Sequence, residues 1–174
     1  MTDHLLKNSW NLYYWPNNEW DNIQNICTVD TIENFWKWMN NLPGPNSVKG
    51  RKNFAFFRNN IRPVWEDPAN IEGGKWNWCY ALDQHVTDKH WMECMLFLIG
   101  ENLPYAAEIV GITVQTRPSG DRMSLWTRSS DSNVMITIGL KIKLKLNLRG
   151  LTFKRHKDSV EINSCYQTKA TINL

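Results

Sequence analysis

Ten tryptophans have to be placed in a chain of only 174 residues. Each indole ring is large, and its N–H group needs a hydrogen-bond partner when it is buried. We therefore expect some of these side chains to serve a purpose other than core packing. The ten are Trp10, Trp15, Trp20, Trp36, Trp38, Trp65, Trp76, Trp78, Trp91 and Trp126.

Length and composition indicate a single folded domain over residues 1–174, with a short N-terminal arm at 1–4 and an irregular tail at 163–174. Hydrophobic residues make up 42% of the chain, which argues against disorder. The longest apolar run, residues 95–99, is far shorter than the ~20 residues of a membrane helix. The polar N-terminus and the scattered cysteines lead us to expect a cytoplasmic protein with free thiols, and a nuclear pool stays open.

The charge is unevenly distributed. The net charge is +3, but residues 141–174 alone carry eight Lys and Arg against two Asp and Glu. A basic segment of this kind suggests phosphate or nucleic acid as a partner. A solvated helix face would give the same composition, so charge alone leaves both interpretations open.

Hydrophobic periodicity predicts an α+β fold, with an antiparallel sheet that carries helices on one face. Asp30 is the predicted N-cap of the first helix, and Pro-Ser-Gly-Asp at 118–121 is the turn of the clearest hairpin. Residues 140–146 alternate like a strand, but their length and Lys/Leu content lead us to prefer a helix. We predict strands over 9–15, 23–29, 75–82, 109–117, 122–128 and 151–156, a short apolar segment at 54–57, and helices over 31–42, 87–101 and 132–148.

No motif for catalysis, metal binding or a cofactor is present. Gly73-Gly74-Lys75 is followed by Trp76 rather than Ser or Thr, so it is not a phosphate-binding loop. The sequence contains no His-Glu-x-x-His zinc pattern and no Gly-x-Ser-x-Gly nucleophile elbow. We therefore expect a binding protein without a cofactor rather than an enzyme.

One group of residues carries a specific chemistry. Trp20 and Trp65 lie beside turns, where exposed indoles are expected, and Glu66 follows Trp65 directly. Two such rings could stack on a flat, positively charged heterocycle, since cation–π attraction adds to stacking. A carboxylate in the same plane would accept hydrogen bonds from the adjacent N–H groups of guanine. Basic residues of the predicted hairpin would then hold attached phosphates.

Longer motifs identify a family. They include Pro-Val-Trp-Glu-Asp at 63–67 and Gly-Gly-Lys-Trp at 73–76, and the spacing of the aromatic residues over the whole length is specific. With them, the sequence resembles the eukaryotic translation initiation factor 4E family, which binds the 7-methylguanosine cap of messenger RNA. The resemblance implies a curved antiparallel sheet with about three helices on its convex face and the cap pocket on its concave side. The matching segments are 4–6, 10–14, 18–20, 31–36, 63–67, 73–76, 98–101, 120–122 and 125–126.

The resemblance also implies how the base would be bound. Trp20 and Trp65 would sandwich the methylated guanine, whose carbonyl oxygen would be reached by the backbone N–H of Trp65. Glu66 would accept hydrogen bonds from its N1–H and 2-amino groups, and Trp126 would lie against the methyl group. His156 matches a loop near the cap to which no role is assigned.

For the triphosphate, the resemblance implies Arg117 and Arg122 as direct ligands, with Lys75 as a weaker helper through water. Ser119 stands where the family usually carries Lys, which removes one phosphate contact.

A second surface is implied on the opposite side, where the scaffold factor 4G or inhibitory binding proteins dock through a Tyr-x-x-x-x-Leu-hydrophobic motif. Trp36 has an alternative interpretation as a core residue, since helical spacing does not distinguish the two. Leu5 replaces the family's usual proline. The matching positions are His4, Leu5, Ile32, Trp36, Met92, Glu93 and Leu96.

We thus predict a cap-binding factor that is monomeric outside its complex and recruits a scaffold protein. A cap-binding repressor without productive scaffold binding would use the same pocket. A general single-stranded RNA binder and a cap hydrolase are further alternatives, although the hydrolase lacks candidate metal and acid–base groups.

Overall fold

Eight strands form one antiparallel sheet in the part of the chain that the computed structural model describes, residues 3–17, 19–47, 50–80, 84–161 and 171–174. The order across the sheet is β2-β1-β3-β5-β6-β4-β7-β8. The strands are β1 Leu5–Pro16, β2 Gln24–Thr31, β3 Lys52–Arg58, β4 Gly74–Tyr80, β5 Ile109–Thr116, β6 Asp121–Thr127, β7 Thr152–Arg155 and β8 Ile172–Asn173. The predicted α+β class with an antiparallel sheet is confirmed.

Four helices accompany the sheet within the same ranges: α1 Ile32–Met39, α2 Gln84–Ile99, α3 Ser132–Lys145 and α4 His156–Glu161. The first three pack on one face of the sheet, which we call the helix face, around a common apolar core. The fourth is a short helix that the sequence analysis did not predict. Among the described residues, no helix is both long and apolar enough to span a membrane.

Side-chain alternation along β4 sends large apolar groups to one side and polar groups to the other. Trp76 and Trp78 are buried on the helix face, whereas Lys75, Asn77 and Cys79 point to the opposite face. A smaller apolar cluster, which includes Trp15, Phe57 and Trp126, packs on that opposite face. The sheet therefore has a continuous core on one side and a partly polar surface on the other.

The first helix begins one residue later than predicted. Its N-cap is Thr31, whose hydroxyl accepts the backbone N–H of Asn34 at 3.0 Å, and the predicted cap Asp30 was wrong. Both residue types are good caps, but Thr31 directly precedes Ile32, the first helical residue, and has the extended backbone that a cap requires. The carboxylate of Glu33 does not complete a capping box, since it binds the backbone N–H and the ring of His4 at 2.9 and 2.6 Å.

Helix α3 confirms the preference for helix over strand at residues 132–148, although it ends at Lys145. Asp131 caps it by accepting the backbone N–H of Val134 at 3.0 Å. Its buried positions are Met135, Ile138, Gly139 and Ile142, which follow the spacing of one helix face. Of the alternating leucines, Leu140 and Leu144 are exposed, whereas Leu146, four residues after Ile142, is buried.

The hairpin of β5 and β6 is also confirmed. Its turn places Gly120 at a φ of 116°, where a side chain would be strained, and Gly120 N–H donates to the carbonyl of Arg117 at 3.1 Å.

Helix α2 starts at Gln84, three residues before the predicted start.

The C-terminal part departs from the prediction. Strand β7 ends at Arg155, and His156 begins α4 instead of ending the strand. Residues 163–170 of the predicted irregular tail lie outside the described residues. Ile172 and Asn173, which were also assigned to that tail, instead form β8, which pairs with β7 through Phe153 and Thr152.

His156 is buried at the junction of α4 with the sheet. Its backbone N–H donates to the carbonyl of Gly73 at 3.0 Å, and its ring lies 4.3 Å from that of Trp126. Its Nε2 atom has no hydrogen-bond partner among the described residues. Burial, followed by the positive charge of Lys75, holds the pKa of His156 well below its ordinary value of 6.5. The ring is therefore neutral when the protein is folded at neutral pH.

We expect this buried ring to weaken the fold in acid. Below about pH 6.5 the unfolded chain takes up a proton at His156 that the folded chain resists, so the free energy of unfolding falls. The His156→Phe variant keeps a ring against Trp126 but cannot be protonated. Its melting temperature should fall less than that of the wild type between about pH 7.5 and about pH 5.

The control is His4→Gln, since Glu33 raises rather than lowers the pKa of the exposed His4. This control should not reduce the acid loss. An equal loss of melting temperature in the wild type and His156→Phe would contradict the assignment of a neutral buried imidazole.

Candidate functional site

A cavity of about 550 Å³ opens on the face of the sheet opposite α1, α2 and α3. It collects six of the seven residues that the sequence analysis assigned to base and phosphate binding. Two loops and three strands supply the walls, so the site is assembled from distant parts of the chain. The lining residues are Trp20, Asp21, Arg62, Val64, Trp65, Glu66, Lys75, Thr113, Gln115, Arg122, Ser124 and Trp126.

Trp20 lies on a short 3₁₀ turn, Trp20–Asn22, that follows β1. Its side chain is 41% exposed, as expected for an aromatic platform rather than a core residue. The ring contacts the fully buried Trp15, with ring centroids 5.0 Å apart and an interplanar angle of 41°. One side of the Trp20 ring is thus supported by the protein.

Trp65 and Glu66 lie on the loop between β3 and β4, which its own polar side chains hold in place. Asp67 accepts the backbone N–H groups of Arg62 and Ala69, both at 2.9 Å. The buried Asn70 donates to the carbonyls of Arg62 and Val64 at 2.9 and 2.7 Å. These bonds fix the loop without using the side chains of Trp65 and Glu66.

The indole N–H of Trp65 donates to the carboxylate of Glu66. Glu66 is exposed and Trp65 half-buried, so both can be reached from the cavity. A carboxylate has about four acceptor positions, which leaves room for donors from a ligand.

Trp126 forms a rigid floor and is only 3% exposed. Its indole N–H donates to the hydroxyl of Thr113 at 3.2 Å, and Phe57 meets its ring edge-on at 5.5 Å. The His156 ring lies against it at an interplanar angle of 32°, and the ammonium group of Lys75 lies 4.8 Å from its ring centroid. These four contacts leave the ring little freedom to move.

Among the predicted phosphate ligands, the structure brings Lys75 and Arg122 to the cavity but not Arg117. The guanidinium of Arg117 donates to the side-chain oxygen of Gln115 at 2.7 Å, and Gln115 lines the cavity. Arg117 is therefore one contact removed from the cavity wall.

The sequence analysis missed several lining residues. Thr113, Gln115 and Ser124 could have been found, because they alternate with apolar residues along β5 and β6 and so share the face of Trp126. Arg62 adds an exposed cation to the cavity, but its loop position gave no signal in the sequence.

The predicted partner residues of α1 and α2 lie on the helix side, and the carbonyl of His4, just before β1, accepts the backbone N–H of Ile32 at 2.9 Å. Trp36 is 40% exposed, so its alternative interpretation as a core residue is wrong, and Leu5 and Ile32 are exposed as well. Met92, Glu93 and Leu96 on α2 are half-buried. Beneath them, a second stripe of α2 is fully buried in the core: Trp91, Cys94, Met95 and Leu98.

Comparisons with known proteins show the family of this chain. The family model described as Eukaryotic initiation factor 4E matches residues 5–171. Eukaryotic translation initiation factor 4E1 of Drosophila melanogaster is 33% identical over 172 residues, which cover 91% of this chain and 66% of that protein. The factor 4E of Saccharomyces cerevisiae is 32% identical over 152 residues, covering 83% of this chain and 71% of that protein.

Solved structures give the same result. The C. elegans eIF4E-3, in complex with the 4E-binding protein Mextli and a cap analog, has a TM-score of 0.89 and 31% identity, covering 99% of this chain and 100% of that one. Ascaris suum eIF4E-3 with m7G cap has a TM-score of 0.88 and 27% identity, with coverage of 99% and 98%. The chain described here belongs to the eukaryotic initiation factor 4E family.

Proposed function

We propose that this protein binds the 7-methylguanosine cap of messenger RNA, with the methylated base stacked between Trp20 and Trp65. The observation that carries the proposal is the meeting of these two accessible indoles, the Glu66 carboxylate and the Trp126 floor in one cavity. Methylation makes the guanine ring cationic, and a cationic ring between indoles gains cation–π attraction as well as stacking. The cap complexes of nematode eIF4E-3 support the proposal by similarity.

In this proposal, Glu66 selects guanine. Its carboxylate would accept hydrogen bonds from N1–H and the 2-amino group, and the backbone N–H of Trp65 would donate to the base carbonyl. Such charge-assisted bonds are roughly twice as strong as neutral ones. Trp126 would lie against the methyl group, since it is the aromatic floor between the strands.

The triphosphate would be held by Arg122 and Lys75, which line the cavity from β6 and β4. Arg62, on the loop between β3 and β4, is a further cation in the lining of the cavity. Arg117 would act through Gln115 or by a change of rotamer, because its guanidinium binds that amide. Together, these basic residues would compensate for the phosphate contact that Ser119 does not supply.

We further propose that the protein starts translation in the cytoplasm by recruiting a scaffold factor of the 4G kind, or a 4E-binding protein, through its helix side. Trp36 and Ile32 on α1 are exposed and suit an amphipathic segment with a Tyr-x-x-x-x-Leu-hydrophobic motif. The half-buried Met92, Glu93 and Leu96 on α2 would complete the docking site. The activity is binding and recruitment by a monomer, with no catalytic step.

We expect Trp65→Ala to weaken binding of 7-methylguanosine triphosphate on the order of 10- to 100-fold, since stacking contributes ~1–3 kcal/mol per base. The measurement is quenching of tryptophan fluorescence during titration. Trp36→Ala, which removes an indole far from the cavity lining, is the matched control and should bind normally. Normal binding by both variants would refute the assigned pocket.

We expect Glu66→Gln to weaken binding of 7-methylguanosine triphosphate by a comparable factor, about 10- to 100-fold. The glutamine amide is neutral, and its NH2 group would meet one of the two donors of the base in place of an acceptor oxygen. The fold should be unaffected, since Glu66 is exposed. Titration with unmethylated GTP is the companion measurement, and the wild type should bind it much more weakly. Equal affinity for both nucleotides would instead favour a general RNA-binding surface.

We expect Trp36→Ala to weaken binding of a Tyr-x-x-x-x-Leu-hydrophobic peptide by at least about 10-fold, because a buried tryptophan anchor is worth ~2 kcal/mol or more. Calorimetric titration measures this, with cap affinity as the internal control. Adding the wild type and the variant to a cap-dependent translation extract then separates two roles. Stimulation by the wild type alone supports an initiation factor, whereas inhibition by both indicates a repressor.

A further inference from the structure

A second cavity of about 300 Å³ adjoins the proposed cap site. The two cavities share Lys75 and Arg122, which stand at the boundary between them. Beyond that boundary, the lining continues along β4 and β7 with Asn77, Cys79, Thr152 and Lys154. We call this second cavity the β4–β7 groove.

Strand register explains why positive charge continues into the groove. Lys75 pairs with Trp126 of β6 on one side and with Lys154 of β7 on the other. Paired residues on antiparallel strands project from the same face with Cβ atoms about 4.5–5.5 Å apart. Two lysines directly opposite each other repel, and an anion between them offsets that repulsion.

The floor of the groove is polar and ordered. The amide of Asn77 donates to the carbonyls of Lys75 and Thr152 at 3.0 and 3.2 Å, and its oxygen accepts the hydroxyl of Ser124 at 2.9 Å. Among the described residues that line the groove, none is acidic, whereas the cap cavity contains Asp21 and Glu66. The groove thus favours a phosphate-bearing ligand more strongly than the cap cavity does.

We infer that the β4–β7 groove receives the RNA chain beyond the cap, with the first phosphate after the cap triphosphate held between Lys75 and Lys154. This inference rests on the proposed cap binding, because a triphosphate on Lys75 and Arg122 leads directly from one cavity into the other. The groove's volume of about 300 Å³ is at the lower end of the range for small-ligand sites.

The test compares a short capped oligoribonucleotide with 7-methylguanosine triphosphate, using the full chain. We expect Lys154→Ala to weaken binding of the capped oligoribonucleotide by about fivefold, as for loss of a partly exposed ion pair. Affinity for 7-methylguanosine triphosphate should stay within about twofold. The salt dependence of oligoribonucleotide binding should also decrease by about 0.7 in log–log slope, as expected for one lost contact to a single strand.

Arg155→Ala is the matched control. It removes the same charge from the next residue of β7, whose guanidinium is directed to Asp158 at 3.0 Å. This control should leave both affinities unchanged, and Lys154→Arg should restore oligoribonucleotide binding.

A second readout uses Cys79, an exposed thiol within the groove. The capped oligoribonucleotide should slow alkylation of Cys79 by iodoacetamide, followed peptide by peptide in a mass spectrometer, and 7-methylguanosine triphosphate should slow it less. Cys27 serves as an internal reference, because burial raises its pKa to about 11 and keeps it unreactive.

The outcomes separate the two proposals. Failure of the wild type to bind 7-methylguanosine triphosphate would overturn cap binding, and this inference with it. Normal cap binding with equal effects of Lys154→Ala and Arg155→Ala, or with no protection of Cys79, would overturn the groove alone. A parallel loss of both ligands in Lys154→Ala would also overturn it, since Lys154 would then belong to the cap triphosphate.

Discussion

The alternation of side chains along β4 determines both the packing of the core on the helix face and the residues that line the cavity on the opposite face. Trp76 and Trp78 fill the core beneath the helices, and Lys75 and Asn77, one residue out of phase, face the other way. The indole N–H of Trp76 donates to the carbonyl of Met135 at 3.1 Å, which ties α3 to the sheet. A slip of one residue would expose the tryptophans and bury a lysine, so the hydrophobic effect that fixes the core also fixes which cations reach the cavity.

The proposed cap site combines two kinds of support. Its floor is a strand residue, Trp126, held from several directions by neighbouring side chains. Its aromatic walls are loop residues, but the loop of Trp65 is fixed by Asp67 and Asn70, and Trp20 leans on the buried Trp15. A ligand therefore pays little conformational entropy to organise the pocket, which leaves more of the interaction energy for affinity.

Local signals in the sequence predicted much of this fold. The turn around Gly120 and the helical state of α3 are encoded by neighbouring residues, and both were predicted correctly. The start of α1 depended on a choice between two adjacent good caps, which the sequence pattern did not resolve. Arg62 reaches the cavity through the path of its loop, and the side chain of Arg117 turns toward Gln115 through its choice of rotamer. Both depend on three-dimensional packing, which hydrophobic periodicity in the sequence does not predict.

The contact between the rings of His156 and Trp126 has a consequence for helix α4. Helix α4 begins at the residue that supports the floor of the cavity, so its unfolding would remove that support. Local opening of α4 and occupancy of the cavity are then thermodynamically linked, because a ligand that binds only the intact floor shifts the balance against opening. Ligand binding in the cavity would thus slow amide hydrogen exchange in α4, although α4 does not line the cavity.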